Sequence, residues 1–180
     1  SIDSVAAEIG GVELDTGFHT TTPDAPELQG YLAQMVAAGT EYAVLETTSH
    51  GLAQHRVTAC EYDMAVVTNI THDHLDYHGT YEAYREAKAL LFRALLTAAR
   101  KPGMPKVAVL NADDAASDYL RAIPVEQQIS YGLRQPAQVT ARDLSISPAG
   151  LRCVAVTPAA TIPLHSPLVG RYNVANILAA

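Results

Sequence analysis

The 180-residue sequence predicts an α/β domain in which a mostly parallel sheet is flanked by helices, with an antiparallel β flank in the C-terminal third. Two observations predict this class. Helical segments alternate with short apolar runs from about residue 26 onward, and after residue 129 shorter, proline-punctuated strand candidates follow one another. A content of 48% apolar and 17% charged residues is typical of one folded globular domain.

Three segments have the features of helices. Residues 27–38 carry apolar side chains at helical spacing and are followed by Gly39 as a C-terminal cap. The segment Tyr81 to Ala99 is entered through Thr80 as N-cap and ends before Pro102 and Gly103. A third helix begins within the closing residues 168–180.

Apolar runs of strand length separate the helices. Three of them lack alternation, which predicts parallel strands covered on both faces: residues 42–45, 64–67 and 106–110. Each is followed by acidic, amide or imidazole residues, and ligands of open α/β sheets bind beyond the carboxyl ends of the strands. The expected antiparallel flank comprises residues 128–131, 138–141, 151–156 and 160–164.

Charge and cysteine content exclude several function classes. Twelve Lys and Arg against nineteen Asp and Glu give a net charge of -7, which disfavours binding to nucleic acid or to an anionic membrane surface. Cys60 and Cys153 form no C-x-x-C pair, and the apolar stretches are too short to span a membrane. A cytoplasmic protein is therefore expected.

The densest polar segment is Thr71 to His78, which holds five potential metal ligands directly after a strand candidate. Imidazoles alternating with carboxylates suit a divalent cation. The series His72-x-His74-x-Asp76 imitates a metal-dependent hydrolase motif, although His165 is the only later histidine. His72 and His78 fit equally well as groups that orient ligands or cap a helix.

Four other positions are candidates. Glu46 follows the first strand candidate, where a carboxylate either faces the crevice or caps a loop. Lys88, one of only three lysines, is either a site residue or a lysine extending to solvent. Arg56 has the donors to bind an anionic group, or it is a solvated side chain. Residues 20–24 offer hydroxyls before a helix that could bind an anion, or they form a capping turn.

The order of these motifs resembles the central domain of the Mur ligases, and within that family the members that add the third amino acid of the peptidoglycan stem. The segments that carry the resemblance are Thr21-Thr22-Pro23, residues 46–57, residues 68–79 (T-N-I-T-H-D-H-L-D-Y-H-G), residues 84–88 and residues 170–176. Such similarity implies a P-loop NTPase-like fold and an ATP-dependent ligase that forms a carbon–nitrogen bond. It also implies a role in peptidoglycan synthesis, and through it in cell-wall biogenesis, cell shape and cell division.

The resemblance further implies the partners of the reaction: UDP-MurNAc-L-Ala-D-Glu, ATP and a diamino acid. The dipeptide carboxylate is phosphorylated to an acyl phosphate, which the amine then attacks. Glu46 and His74 correspond to Mg2+ ligands, and Lys88 to a lysine that CO2 converts to a carbamate, which holds a second Mg2+.

Substrate contacts transfer in the same way. The family's contacts with the UDP-muramoyl dipeptide fall on Thr21, Thr22, Thr48, Gln54 and Arg56, and those near ATP on Asn173 and Asn176. Two positions depart from the pattern, since Thr20 stands where Asn is usual and Thr48 where Ser is common.

The sequence contains no Gly-Lys pair, so the phosphate-binding G-x-x-G-K-T/S loop of a Mur ligase is absent from it. Residues 1–180 are therefore expected to be a truncated central domain that lacks the P-loop segment, the N-terminal UDP-binding domain and the C-terminal domain, and is inactive alone. A Mur-like binding module without catalysis is the alternative, and the intact set of Glu46, His74 and Lys88 argues against it. Whether meso-diaminopimelate, lysine or ornithine is added is not specified by these residues.

Overall fold

The computed structural model describes residues 1–14, 21–71 and 73–180. Thr20 and His72 therefore lie outside the described residues. The chain divides into two compact units. The first comprises Ser1–Cys60 with Asp76–Leu91, and the second comprises Glu61–Leu75 with Phe92–Ala180. Among the described residues, no helix is both long and apolar enough to cross a lipid bilayer.

The first unit begins with a small hairpin. Strands β1 (Ala7–Ile9) and β2 (Val12–Leu14) pair antiparallel across Gly10 and Gly11. Both glycines have positive φ, at 58° and 79°, as a two-residue hairpin turn with the favoured twist requires.

Helix α1 (Ala25–Ala37) confirms the first predicted helix, with its start two residues earlier than expected. It buries Leu28, Tyr31 and Met35, which share one face. The chain leaves the helix through Gly39 at φ 73°, and the Thr40 N–H donates to the Met35 carbonyl at 2.9 Å. Gly39 thus supplies the left-handed residue that ends a helix in this way.

The strand predicted over residues 42–45 is wrong. Within the described residues this run forms a single parallel bridge, between Ile2 and Leu45. Tyr42 and Val44 are largely exposed instead of covered on both faces. An apolar run becomes a strand only where a neighbour pairs along its length. Here, among the described residues, the backbone bonds to another segment come from Ile2, whose N–H donates to the Val44 carbonyl and whose carbonyl accepts from the Glu46 N–H.

Three more helices follow: α2 (Ser49–Ala53), α3 (Leu75–His78) and α4 (Tyr81–Thr97). The first two have five and four residues, too few for an apolar period to reveal them in the sequence. Helix α4 is the predicted one, and the Thr80 hydroxyl accepts from the Ala83 N–H at 3.1 Å, as an N-cap does.

The second unit contains a parallel sheet of β3 (Met64–Val66), β4 (Val107–Asn111) and β5 (Gln127–Tyr131), with β4 in the centre. Helix α5 (Ser117–Arg121) lies between β4 and β5 in sequence and contacts β4. The assignment of residues 128–131 to the antiparallel flank is therefore wrong, because a connection with a helix returns the chain for parallel pairing. Burial on both faces is also wrong for β3, where Met64 and Val66 are 50% and 45% exposed.

An antiparallel sheet follows in the C-terminal third, as predicted. It comprises β6 (Thr140–Ser147), β7 (Gly150–Val156) and β8 (Thr161–Ser166), with β7 in the centre. A register shift between Arg142 and Ser145 marks a bulge in β6, where Asp143 has φ 54°.

Helix α6 (Arg171–Ala179), predicted within residues 168–180, completes the core of this unit. Its Leu178 belongs to a buried cluster with Tyr131 of β5 and Ala155 of β7. Its Val174 packs with Leu151 and Cys153 in a second cluster. One face of α6 is thus covered by apolar residues from both sheets.

A charged network joins the amino ends of β3 and β4. Lys106 is buried, and its ammonium donates to the carbonyls of Tyr62 and Ala99, both at 2.8 Å, and to Asp63 at 3.1 Å. Partial burial by itself raises the pKa of Asp63, but its bonds to Lys101 and Lys106 outweigh burial and leave the pKa below its usual range.

Candidate functional site

Thr22 joins the loop before α1 to the loop before α2. Its buried hydroxyl donates to the Glu46 carbonyl at 3.2 Å and accepts from the Thr48 N–H at 2.9 Å. The hydroxyl oxygens of Thr22 and Thr48 are 3.1 Å apart. Three predicted site residues, separated by up to 26 positions in the chain, are therefore brought together within the first unit.

The close approach of Thr22 to α2 depends on Gly51. Thr48 is the N-cap of α2, and its hydroxyl accepts from the Gly51 N–H at 3.0 Å. A Cβ added at Gly51 would lie 2.8 Å from Thr22 Cγ2 and 2.9 Å from its Cβ. The sequence analysis included Gly51 only within residues 46–57, whereas the structure shows that its lack of a side chain makes room for Thr22. The sequence feature that could have revealed this is a glycine within a helix.

Glu46 has a hydrogen-bonded backbone and an exposed carboxylate. Its N–H donates to the Ile2 carbonyl at 2.8 Å, while its own carbonyl accepts from Thr22. Its side chain is exposed, with Oε2 accepting from the Ser4 N–H at 3.1 Å. A carboxylate presented in this way is a hard oxygen donor, so it fits Mg2+.

Arg56 is held against the threonine loop. Its Nη1 donates to the Thr22 carbonyl at 2.8 Å and its Nε to Gln54 Oε1 at 2.9 Å, while Asp24 lies 3.3 Å from Nε. The Gln54 amide in turn donates to the Tyr77 hydroxyl at 3.3 Å. Arg56 thus bonds to Thr22 and to Gln54, and the half-buried Thr21 is next to Thr22 in the chain; their role as substrate contacts stays a prediction.

A cluster of rings occupies the other side of α2. His50 lies 4.2 Å from Tyr77 and 5.4 Å from His78, and His78 lies 5.5 Å from Tyr84, all measured between ring centroids. The His78 Nε2 is 3.0 Å from the Ser49 hydroxyl, so this histidine contacts α2. Lys88 Nζ stands 6.0 Å from the Tyr84 ring centroid. A series of contacts thus runs from Lys88 through Tyr84 and His78 to the helix that Thr48 caps.

His74 belongs to the second unit, whereas Glu46 and Lys88 belong to the first. Its φ is 53°, its side chain is 46% exposed, and its Nε2 lies 3.6 Å from Asp73. In the part of the chain that the structure describes, no three His, Cys, Asp or Glu side chains are grouped closely enough to hold a metal ion. Convergence of Glu46, His74 and Lys88 on one metal stays a prediction. The role of the exposed Asp76 as a metal ligand in the His72-x-His74-x-Asp76 series also stays a prediction.

The polar residues after β4 bind neighbouring loops. Asp113 accepts from the backbone N–H groups of Leu133, Arg134 and Gln135 at 2.7–3.2 Å. Burial alone raises the pKa of Asp113, but these backbone donors and the charge of Arg134 outweigh it and lower that pKa. Asp114 and Asn111 act in the same way on the loop after β3, with bonds to Ile70 and Thr68. The structure shows that these side chains bond to neighbouring loops, and their place at a ligand crevice stays a prediction.

Asn173 and Asn176, predicted near ATP, lie three residues apart on α6 and so share one side of it. The Asn173 amide donates to the Val169 carbonyl at 2.8 Å, one turn earlier. Asn176 is exposed. Their side of the helix differs from that of Val174 and Leu178, which are buried against the sheets.

The fold is that of an α/β domain with a parallel sheet, flanking helices and an antiparallel sheet. Its candidate substrate loop, Thr-Thr-Pro, bonds to the residue that caps α2. The chain belongs to the Mur ligase middle domain family, whose model matches residues 3–180. It is 45% identical over 160 residues to a UDP-N-acetylmuramoyl-L-alanyl-D-glutamate--2,6-diaminopimelate ligase from Geobacillus thermodenitrificans, covering 89% of this chain and 32% of the relative. A Staphylococcus aureus ligase named for L-lysine instead is 42% identical over 168 residues, covering 93% and 34%.

The fold comparison agrees with the sequence comparison. A solved UDP-N-acetylmuramoyl-L-alanyl-D-glutamate--2,6-diaminopimelate ligase superposes with a TM-score of 0.78 and 38% identity, over 93% of this chain and 34% of that one. The chain therefore spans about a third of the length of the relatives it matches.

Proposed function

We propose that the protein containing this chain is an ATP-dependent ligase that joins a diamino acid to UDP-MurNAc-L-Ala-D-Glu during peptidoglycan precursor synthesis. The observation that carries the proposal is the 42–45% identity to ligases named for that substrate, across about nine-tenths of the chain. The continuous family match also favours this chemistry over a metal-dependent hydrolase. Residues 1–180 supply the middle domain, and the P-loop segment and the two flanking domains are proposed to lie elsewhere in that protein.

In the proposed reaction, an oxygen of the dipeptide carboxylate attacks the terminal phosphorus of ATP, and ADP leaves. The amine of the diamino acid then attacks the acyl phosphate, phosphate leaves and the nitrogen loses a proton. The first step brings two anions together, and the second develops negative charge on the carbonyl oxygen and the leaving phosphate, so positive charge must be held near the reacting oxygens. Bound Mg2+ supplies such charge.

The residues of the first unit are suited to hold the anionic substrate. Thr22 and Thr48 fix each other through their hydroxyls, and Arg56 donates to the backbone of the same loop. The guanidinium is therefore already oriented before a substrate binds, which lowers the entropic cost of forming a charge-assisted hydrogen bond. We propose Thr21, Thr22, Thr48, Gln54 and Arg56 as contacts of the UDP-muramoyl dipeptide, and Asn173 and Asn176 as contacts of ATP.

Glu46 and His74 are proposed as Mg2+ ligands, with a carbamate of Lys88 as the ligand of a second Mg2+. The exposed Glu46 carboxylate is the donor that suits Mg2+ best, and a carbamate would add an anionic oxygen where an ammonium would repel the ion. We also propose that the protein is cytoplasmic. Through peptidoglycan synthesis it would contribute to cell shape and cell division.

The test uses the complete protein with UDP-MurNAc-L-Ala-D-Glu, ATP and Mg2+, and measures ADP release with meso-diaminopimelate, L-lysine or L-ornithine. We expect ADP release that requires both the dipeptide substrate and one of the three amino acids. ADP release without either substrate, or none at all, would contradict the proposal. Because relatives named for two different amino acids match almost equally well, this chain leaves the choice among them to the experiment.

A further inference from the structure

We infer that Asn111, Asp114 and Tyr131 are positioning residues for His74, an inference that rests on the proposed function. All three side chains bind the main chain of residues 67–70, the segment that connects β3 to the part of the chain carrying His74. They come from the carboxyl ends of β4 and β5 and the turn that follows β4.

Each bond satisfies a backbone group that follows β3. The Tyr131 hydroxyl donates to the Val67 carbonyl at 2.8 Å, the Asn111 amide donates to the Thr68 carbonyl at 2.6 Å, and Asp114 Oδ2 accepts from the Ile70 N–H at 2.7 Å. Backbone polar groups near the interior must find partners, and here three of those that follow β3 find them in side chains. The buried Ile70 side chain adds an apolar anchor at the same place.

The three positioning side chains are themselves held in place. Asn111 Oδ1 accepts from the Asp113 N–H at 2.9 Å, and Asp114 Oδ1 accepts from the Ala116 N–H at 2.7 Å. Tyr131 is fully buried, and its burial, together with the negative charges of Asp114 and Asp113, raises its pKa far above the usual value. Burial and these charges thus favour the neutral phenol, which can donate its hydrogen bond.

The conformation of His74 shows why support of this loop matters. A left-handed φ of 53° is uncommon for a residue with a Cβ, and such strain persists where surrounding structure determines the conformation. The Asp73 carboxylate accepts from the His74 N–H at 2.8 Å, a bond to the adjacent residue. On its N-terminal side this segment is attached to the sheet at residues 67–70, so loosening that attachment gives the imidazole more orientations and weakens its binding to a metal.

The test compares Asp114→Asn with wild type in the complete protein. The amide keeps the size of Asp114, but its NH2 group replaces one of the two oxygens that accept from Ile70 and Ala116, so one of these bonds is lost in the observed geometry. The control Asp118→Asn makes the same change of charge on α5, where the side chain is exposed. A second control, Asp113→Asn, loosens the loop at residues 133–135 instead.

The readout is Mn2+ binding, with Mn2+ alone as the probe and free Mn2+ followed by electron paramagnetic resonance. We expect Asp114→Asn to need about tenfold more Mn2+ for half-saturation, the low end of the effect of groups that orient metal ligands. Both controls should stay within about twofold of wild type. The KM for UDP-MurNAc-L-Ala-D-Glu should not change, because its proposed contacts belong to the first unit.

Tyr131→Phe serves as the second variant, since it removes one hydroxyl and keeps the buried ring. A weaker but measurable loss of Mn2+ affinity is expected from it, about threefold, even if Asp114→Asn fails to fold. The inference is overturned if both variants bind Mn2+ like wild type, or if Asp113→Asn loses as much affinity as Asp114→Asn. Wild-type protein that neither binds Mn2+ nor forms ADP overturns the proposed function itself, whereas active wild type with unaffected variants overturns only the positioning role.

Discussion

The observed contact of Lys88 and its proposed role require different forms of its amine. Its Nζ stands 6.0 Å from the Tyr84 ring centroid, a distance at which an ammonium is attracted to an aromatic face. Carbamate formation requires the neutral amine. Substitutions that separate charge from reactivity decide which form the proposed ligase uses.

Lys88→Arg and Lys88→Ala provide that separation. The first keeps a cation near Tyr84 but cannot form a carbamate, and the second removes both. If a carbamate is the working form, both variants should lose at least about a hundredfold in kcat, roughly 3 kcal/mol of barrier. Added short carboxylic acids should partly restore Lys88→Ala and not Lys88→Arg. Near-normal ADP release by Lys88→Arg would show that a positive charge suffices.

Gly51→Ala tests the contact between Thr22 and α2. The new methyl group would overlap Thr22, which must then move away from Thr48 and Glu46. Overpacking of this kind costs about 1–3 kcal/mol, so a lower Tm and about a tenfold higher KM for the UDP-linked substrate are expected.

Gly30→Ala is the matched control for Gly51→Ala. It also places alanine in a helix, but among the described residues the added Cβ meets nothing within 4 Å. Alanine is the better helix former, so a small gain in stability and an unchanged KM are expected. An equal rise in KM for both variants would argue against a specific role for the Thr22 contact.

Strand β4 is anchored differently at its two ends. At the amino end, Lys106 and Asp63 form a network whose role is structural, since it binds backbone carbonyls and one carboxylate. At the carboxyl end, Asn111, Asp113 and Asp114 bind loops. The same element thus carries stability at one end and organisation of the proposed site at the other.

Asp63→Asn should reveal the amino-end network as a pH-dependent stability difference. Because the folded state lowers the pKa of Asp63, its contribution is fully present above the usual carboxyl pKa near 4 and disappears as pH falls through the lowered value. Removing the charge leaves buried Lys106 without its carboxylate, at a cost of about 3 kcal/mol at pH 7.

Urea unfolding of Asp63→Asn and wild type at pH 7 and at pH 3 measures this effect, with exposed Asp118→Asn as the control. The difference from wild type should be large at pH 7 and smaller at pH 3, while the control stays within about 0.5 kcal/mol at both. A difference that does not depend on pH would show that the carboxylate charge of Asp63 is unimportant.

Prediction of the elements succeeded where a segment carries its own signals. Helix α4 has an N-cap in Thr80 and a long amphipathic repeat, and both are local. Residues 42–45 have the apolar run of a strand, but no described segment pairs along their length. Strand β5 was assigned to the antiparallel flank, because its own residues do not show in which direction a distant strand pairs with it. Local pattern therefore specified what each segment can be, and pairing depended on the rest of the chain.

At the scale of the whole molecule, strand β3 leaves two apolar side chains exposed. Met64 and Val66 point to the same side of β3 and remain about half exposed, although buried strands were predicted there. Exposed apolar side chains on a short strand with a single described neighbour favour self-association.

We therefore expect the 180-residue chain, expressed by itself, to self-associate, and the double substitution Met64→Thr and Val66→Thr to shift it towards monomer. Light scattering after size-exclusion chromatography measures this, with circular dichroism to verify folding. Leu168→Thr, at a comparably exposed position in a loop, should leave the association unchanged. A wild-type chain that is already monomeric at high concentration would contradict the prediction.

The sequence by itself determined the fold class, the positions of the longer helices to within about two residues and the family resemblance, because these depend on local period, capping and motif order. Tertiary structure alone decided that β5 pairs parallel to β4, that Thr22 bonds to Glu46 and Thr48, and that Asn111, Asp114 and Tyr131 hold the segment leading to His74. Such contacts join residues 20 to 64 positions apart, and no local pattern records which distant group a residue will meet.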